Sequence, residues 1–107
     1  MKVIHNVKAV DDVIHVDQRG ANFEGGYLYA VAINSDGDAV AGGSVSVAPS
    51  PFETHDIWGT AKDITASDVA PVSLDEGLTE RLKVTAISIP ASATAIEIHV
   101  HRVTSGN

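Results

Sequence analysis

Aliphatic residues at every second position recur along this chain, and that period commits it to sheets. Ile96, Ile98 and Val100 alternate with Glu97, His99 and His101. Tyr27, Tyr29, Val31 and Ile33 alternate with Leu28, Ala30 and Ala32. A period of two puts successive side chains on opposite faces of a strand, so each run fits a sheet with at least one buried face. Fourteen Val and nine Ile reinforce the pattern, because side chains branched at Cβ are stiff and pack well on a pleated surface. Two Phe, two Tyr and one Trp leave little for an aromatic core, so the interior is expected to be a thin aliphatic layer.

The runs predict strands at 3–7, 13–17, 27–33, 39–47, 81–89 and 94–103, with short pieces between 57 and 64. Arg19-Gly20-Ala21-Asn22 and Glu24-Gly25-Gly26 read as turns, with Phe23 anchoring the loop between them. Asn34-Ser35-Asp36-Gly37-Asp38 reads as a hairpin turn between two strands, and Gly42-Gly43 as a bulge or second bend. Ala48-Pro49-Ser50-Pro51 is expected to stop the strand before it. Residues 52–80 are the least regular, with a short helical turn expected near Leu78 to Arg81, and Thr104 to Asn107 is expected to fray. Many short strands without a helical crossover predict an all-β protein, a single β-sandwich or compact jelly roll over residues 1–107. A chain of this length builds one hydrophobic core rather than two.

Charge narrows the range of partners. Fourteen acids against seven Lys and Arg give a net charge of −7. Phosphate backbones and anionic membrane surfaces are poorly matched to such a chain, so neither nucleic acid nor membrane is an expected partner. Without cysteine there are no disulfides or thiolate metal sites. No apolar segment is long enough to span a bilayer, and residues 1–8 lack the apolar stretch of a signal peptide. Synthesis and retention in the cytoplasm in soluble form is the expectation.

Four groups of residues invite a chemical reading. Glu97, His99 and His101 share a strand face, and His5 or His15 could complete a zinc set. A polar outer face or a subunit contact explains the same three residues. Asn34, Asp36 and Asp38 offer oxygens at alternate positions, but Ala39 and Val45 stand where a calcium loop needs Gly and Glu. Glu53, His55 and Asp56 near Trp58 and Asp63 contain acid–base residue types, yet adjacency in sequence is not a catalytic geometry. Tyr27 and Tyr29 form either a ligand platform or part of a core or oligomer interface. No nucleophile elbow or phosphate-binding glycine loop occurs. No catalytic, cofactor-binding or metal residue is assigned, and no cofactor is expected.

Trp58 admits two readings. As a buried pin holding residues 49–64 to the sandwich, with Ile57 and Ile64 completing the contact, its removal should cost about 3–5 kcal/mol. As a sugar platform with Asp56, Asp63, Tyr27 or Tyr29, its removal should spare stability and abolish binding.

Residues 43–51 (Gly43 to Pro51), the single Trp58, Asp75 to Val84 and Thr94 to Val100 together resemble small β-sandwich proteins of tailed bacteriophage particles. The likeness is one of layout over residues 43–103: a strand, a long Trp-bearing loop, an acidic turn into a strand, and an aliphatic closing strand. It implies a non-enzymatic structural protein of the virion, of the capsid-decorating, neck or tail-associated type. Synthesis would be in the host cytoplasm, and the partners would be copies of itself, in a trimer, and other virion proteins. A carbohydrate-binding module using Trp58 and nearby acids is the alternative, and an all-β enzyme using His55 a third.

Overall fold

The computed structural model describes residues 2–16, 23–74 and 80–104. Among them nine strands run in the order β1 (Lys2–Val7), β2 (Val13–His15), β3 (Phe23–Ile33), β4 (Ala39–Val40), β5 (Ser44–Ser50), β6 (Lys62–Thr65), β7 (Val72–Leu74), β8 (Arg81–Ser88) and β9 (Ala95–Thr104). Every pairing is antiparallel, and the strands form two sheets. The protein is all-β, with a two-sheet, sandwich-like architecture.

Sheet 1 is β1-β9-β3, and two short strands share the far edge of β3. There β4 pairs with Ala32 and Ile33, while β7 pairs with Gly26 to Leu28. Sheet 2 has the order β2-β8-β5-β6. The inward faces meet in one cluster: Leu28, Ala30 and Ala32 from β3, Ile96, Ile98 and Val100 from β9, and Val45, Val47, Ile64, Leu82 and Val84 from sheet 2. Leu28, Leu82, Ile96, Ile98 and Val100 are sealed completely. Each such side chain contributes about 1.5–3 kcal/mol of burial. The small Ala30 and Ala32 opposite larger neighbours fit the thin aliphatic core that the scarcity of aromatics predicts.

The alternation of β3 assigns its faces. Leu28, Ala30 and Ala32 go inward, so Tyr27, Tyr29 and Val31 form the outer surface of sheet 1. The predicted hairpin is present, with Asn34 Oδ1 accepting the amides of Asp36 and Asp38 (2.9 and 3.0 Å) and Gly37 at φ 85°. The strand predicted over 39–47 is two strands on different sheets. Gly42 and Gly43, at φ 90° and 96°, swing the chain from one layer to the other. A Cβ on Gly43 would stand 3.0 Å from Pro90 Cδ and 3.1 Å from the Ser88 carbonyl, so glycine is needed there for space as well as conformation.

Other boundaries differ from those predicted. Pro49 does not stop β5, which continues to Ser50. The Pro49 carbonyl accepts the Gly59 amide (2.7 Å), so the proline nitrogen faces the side where β6 has ended and costs no bond to β8. Glu24-Gly25-Gly26 is part of β3, with a shift of register between Phe23 and Gly26 in place of a turn. Ile57 and Trp58 lie in a loop, and Val72–Leu74 is a strand too short to show a period. Thr104 ends β9 in register with Phe23. The turn at 19–22, the Phe23 side chain, Leu78 and Thr79 of the expected helical turn, and residues 105–107 lie outside the described residues or side chains; Arg81 begins a strand.

Candidate functional site

Two surfaces gather the polar and aromatic side chains, one on each outer face. On sheet 2, Arg81 and Lys83 point outward because Leu82 and Val84 between and beyond them point inward. The loop after β5 folds back over them. Arg81 Nε donates to the Phe52 carbonyl (2.8 Å) and its Nη2 to that of His55 (2.6 Å). The Trp58 ring lies against both cations, 4.6 Å from the Arg81 Cζ and 4.9 Å from the Lys83 Nζ. Its Nε1 donates to Asp56 Oδ1. The His55 ring meets Phe52 edge-on at 5.7 Å. This cover explains why Ala48 and Ser50, on the outward side of β5 opposite Lys83 and Arg81, are nevertheless buried.

Trp58 therefore holds the loop to the sheet, but from outside the hydrophobic core, and it remains partly exposed. Of its two expected companions, Ile57 is solvent-exposed and Ile64 lies on the interior side of β6. Glu53, His55 and Asp56 are exposed, and the second and third serve the loop through the contacts above. Asp63 accepts the Ser46 hydroxyl (2.5 Å) on the same outer face.

On sheet 1 the register brings Tyr29 opposite His99 and Tyr27 opposite His101, with Ile4 of β1 on the far side of His99. Glu97, His99 and His101 do share the outer face. His99 Nε2 meets Glu97 Oε1 at 2.7 Å, and the His101 ring stands edge-on to Tyr29 at 5.1 Å. The segment that leaves β6 rises beside them. Ser67, at φ 63°, donates its amide to the Ala30 carbonyl (2.7 Å) and its hydroxyl to that of Val40 (2.7 Å). It thus fills the break in the β3 edge between β4 and β7. Asp68 Oδ1 accepts the Val69 and Ala70 amides (2.7 and 3.3 Å). Val69 is left 89% exposed at the crest. Between this crest and the sheet lies an open groove of about 400 Å³, lined by Tyr29, Val31, Asp68, Val69, His99 and His101 among others.

The structure separates several residues that the sequence allowed to meet. His5 lies on the inward alternation of β1 opposite Ile98, and His15 belongs to sheet 2, so neither joins His99 and His101. Among the described residues no three His, Asp or Glu side chains converge as a metal site. Asn34 Oδ1 is engaged by backbone amides. Trp58 and the Tyr27–Tyr29 pair lie on opposite outer faces and do not form one platform. The groove was not foreseen, since Ser67 to Ala70 has no periodicity that would place it against β3.

These two faces define an all-β, two-sheet protein with a braced loop on one side and a groove on the other. Comparison with protein-family models, with curated proteins and with solved structures finds no match to this chain.

Proposed function

We propose that this chain is a non-enzymatic structural subunit of a phage virion, assembling as a closed trimer and contacting other virion proteins in a decorating, neck or tail-associated position. The observation that carries the reading is the strand order. With the two-residue β4 set aside, β1-β9-β3-β7 faces β2-β8-β5-β6, and only the β5-to-β6 connection stays within one sheet. We read this winding as a jelly roll of eight strands, an architecture used by viral capsid proteins and also by lectins. Fold alone does not assign function, so the edges supply the second argument.

The β1 and β2 strands end their sheets on the same side of the sandwich, and the segment joining them is short. Ile4 on β1, Val10 in the turn and Val13 on β2 are all exposed aliphatics. A strand edge flanked by apolar side chains is stabilised when a neighbouring copy covers it. Repeating one such contact around an axis closes a ring without leaving an open edge.

Sedimentation equilibrium at micromolar concentration, together with mass spectrometry of purified particles, tests this reading. A trimer that dissociates on Ile4→Asp or Val13→Asp, and the presence of the chain in particles, are the expected results. A strict monomer absent from particles overturns it.

A further inference from the structure

We propose that the groove on the outer face of sheet 1 binds a neutral saccharide, one sugar ring at a time, between Tyr29 and Val31 on the floor and Val69 on the crest. The proposal does not depend on the assembly reading. It rests on three observations.

The first is size and lining. At about 400 Å³ the groove falls among small-molecule sites, which are mostly apolar with a few polar groups at fixed places. A pyranose has a matching character, with a face of C–H bonds and a perimeter of hydroxyls. Tyr29 and Val31 can take the apolar face. Asp68 and His99 both line it; Asp68 Oδ1 holds two backbone amides and His99 Nε2 meets Glu97, which leaves the second carboxylate oxygen and Nδ1 for a ligand. His101 adds a ring whose contact among the described residues is with Tyr29. Carboxylate and imidazole atoms with spare valences accept and donate to hydroxyls.

The second is charge. Asp68 lines the groove and Glu97 lies against its His99, on a chain of net charge −7, which disfavours phosphate, sulfate and sialic acid. A neutral ligand meets no such repulsion and brings no ionic group to desolvate.

The third is the construction of the crest. Ser67 is a non-glycine residue in the left-handed region, held there by two hydrogen bonds to carbonyls of β3 and β4. Asp68 braces the next two amides. These bonds fix in place a valine that is 89% exposed and lines the groove beside the apolar floor. Backbone held in a sparsely populated conformation is concentrated at ligand-contacting segments.

An array of immobilised neutral glycans ending in glucose, galactose, mannose or N-acetylglucosamine, with sialylated and sulfated glycans alongside, provides the test. The protein should be retained on at least one neutral class and on none of the anionic ones. Tyr29→Ala and Asp68→Ala should each weaken retention at least about tenfold, the loss of one good contact. Val69→Asp changes only an exposed side chain, so it should fold normally and lose retention as well. Trp58→Ala, on the opposite face, should be retained like the unaltered protein. Absence of retention on every neutral glycan overturns the proposal, as does retention that survives both Tyr29→Ala and Val69→Asp. If Val69→Asp alters the sedimenting mass while leaving glycan retention unchanged, the face is an interface between copies and the saccharide reading fails.

Discussion

The Arg81 guanidinium lies 4.6 Å from the centre of the Trp58 ring while its nitrogens hold the carbonyls of Phe52 and His55. One cation thus fastens a loop at three places and gives an indole its packing surface. This arrangement sets the energetic scale for Trp58. A core tryptophan would cost about 3–5 kcal/mol on truncation, but an indole resting on two cations at a partly open surface is worth less. Trp58→Ala is expected to cost about 1–2 kcal/mol in urea unfolding. Arg81→Lys retains the charge and loses the planar fork that reaches two carbonyls, so it should destabilise by about 1 kcal/mol. A loss of about 3–5 kcal/mol for Trp58→Ala would place the ring inside the hydrophobic cluster after all.

Two glycines at positive φ should respond differently to the same change. Gly37 at the hairpin tip has open space where a Cβ would go, so Gly37→Ala bears only the conformational penalty, about 1 kcal/mol. At Gly43 the added methyl meets Pro90 and the Ser88 carbonyl as well. Gly43→Ala is therefore expected to cost about 2–3 kcal/mol. Thermal denaturation of the pair checks the order, and equal losses would contradict the close approach at Gly43.

Asp12 gives the fold an acid-sensitive joint. Its Oδ2 accepts the amide of Lys8 (2.8 Å) and that of Ala9 (3.0 Å), and these bonds, with the Lys8 charge adding to them, hold its carboxyl below the ordinary value of 3.8. Because the folded pKa is the lower one, the stabilisation is fully present above 3.8 and disappears as pH falls through the folded value. Asp12→Asn should therefore be less stable than the unaltered protein near neutral pH. The gap should close below pH 3.8, as seen in denaturant midpoints across that range. A gap independent of pH would remove the carboxylate from the account.

His5 presents the opposite situation. It occupies the inward alternation of β1, and its Nε2 is shielded from solvent without a hydrogen-bond partner among the described residues. A buried polar atom left unpaired costs free energy that an apolar side chain of similar size avoids. His5→Leu is expected to raise the midpoint of chemical unfolding, by about 1 kcal/mol in stability. A loss of stability would mean that the imidazole has a role in this strand that its contacts do not account for.

Long strands were legible in advance because their signal is local. Over 27–33 and 94–103 the alternation is long enough to name the strand and to divide its two faces. The hairpin at 34–38 was legible because Asn and Gly carry the turn chemistry in their own side chains and backbone. Val72–Leu74 was not, since three residues hold no measurable period. The path of β5 through Pro49 was not either, because whether a proline breaks a strand depends on which side its nitrogen faces. The site was the least legible part: the sequence marked Glu97, His99, His101 and Tyr29, and missed Ser67, Asp68 and Val69 beside them.

The sequence by itself determined the class of the protein: strands from the period of two, a thin core from aliphatics with few aromatics, and an acidic surface from its charges. Those properties depend on each residue and its near neighbours. Tertiary structure decided which residues from distant strands share a surface, because antiparallel pairing joins segments through register and the loops then choose a face. Tyr29 meets His99 across a ladder of backbone bonds, and Val69 reaches them only because Ser67 bonds to Ala30. Trp58 rests on Arg81 and Lys83, on the opposite face from both tyrosines, because the loop after β5 folds back over sheet 2. No local pattern encodes that choice, which emerges from the summed contacts of the whole core.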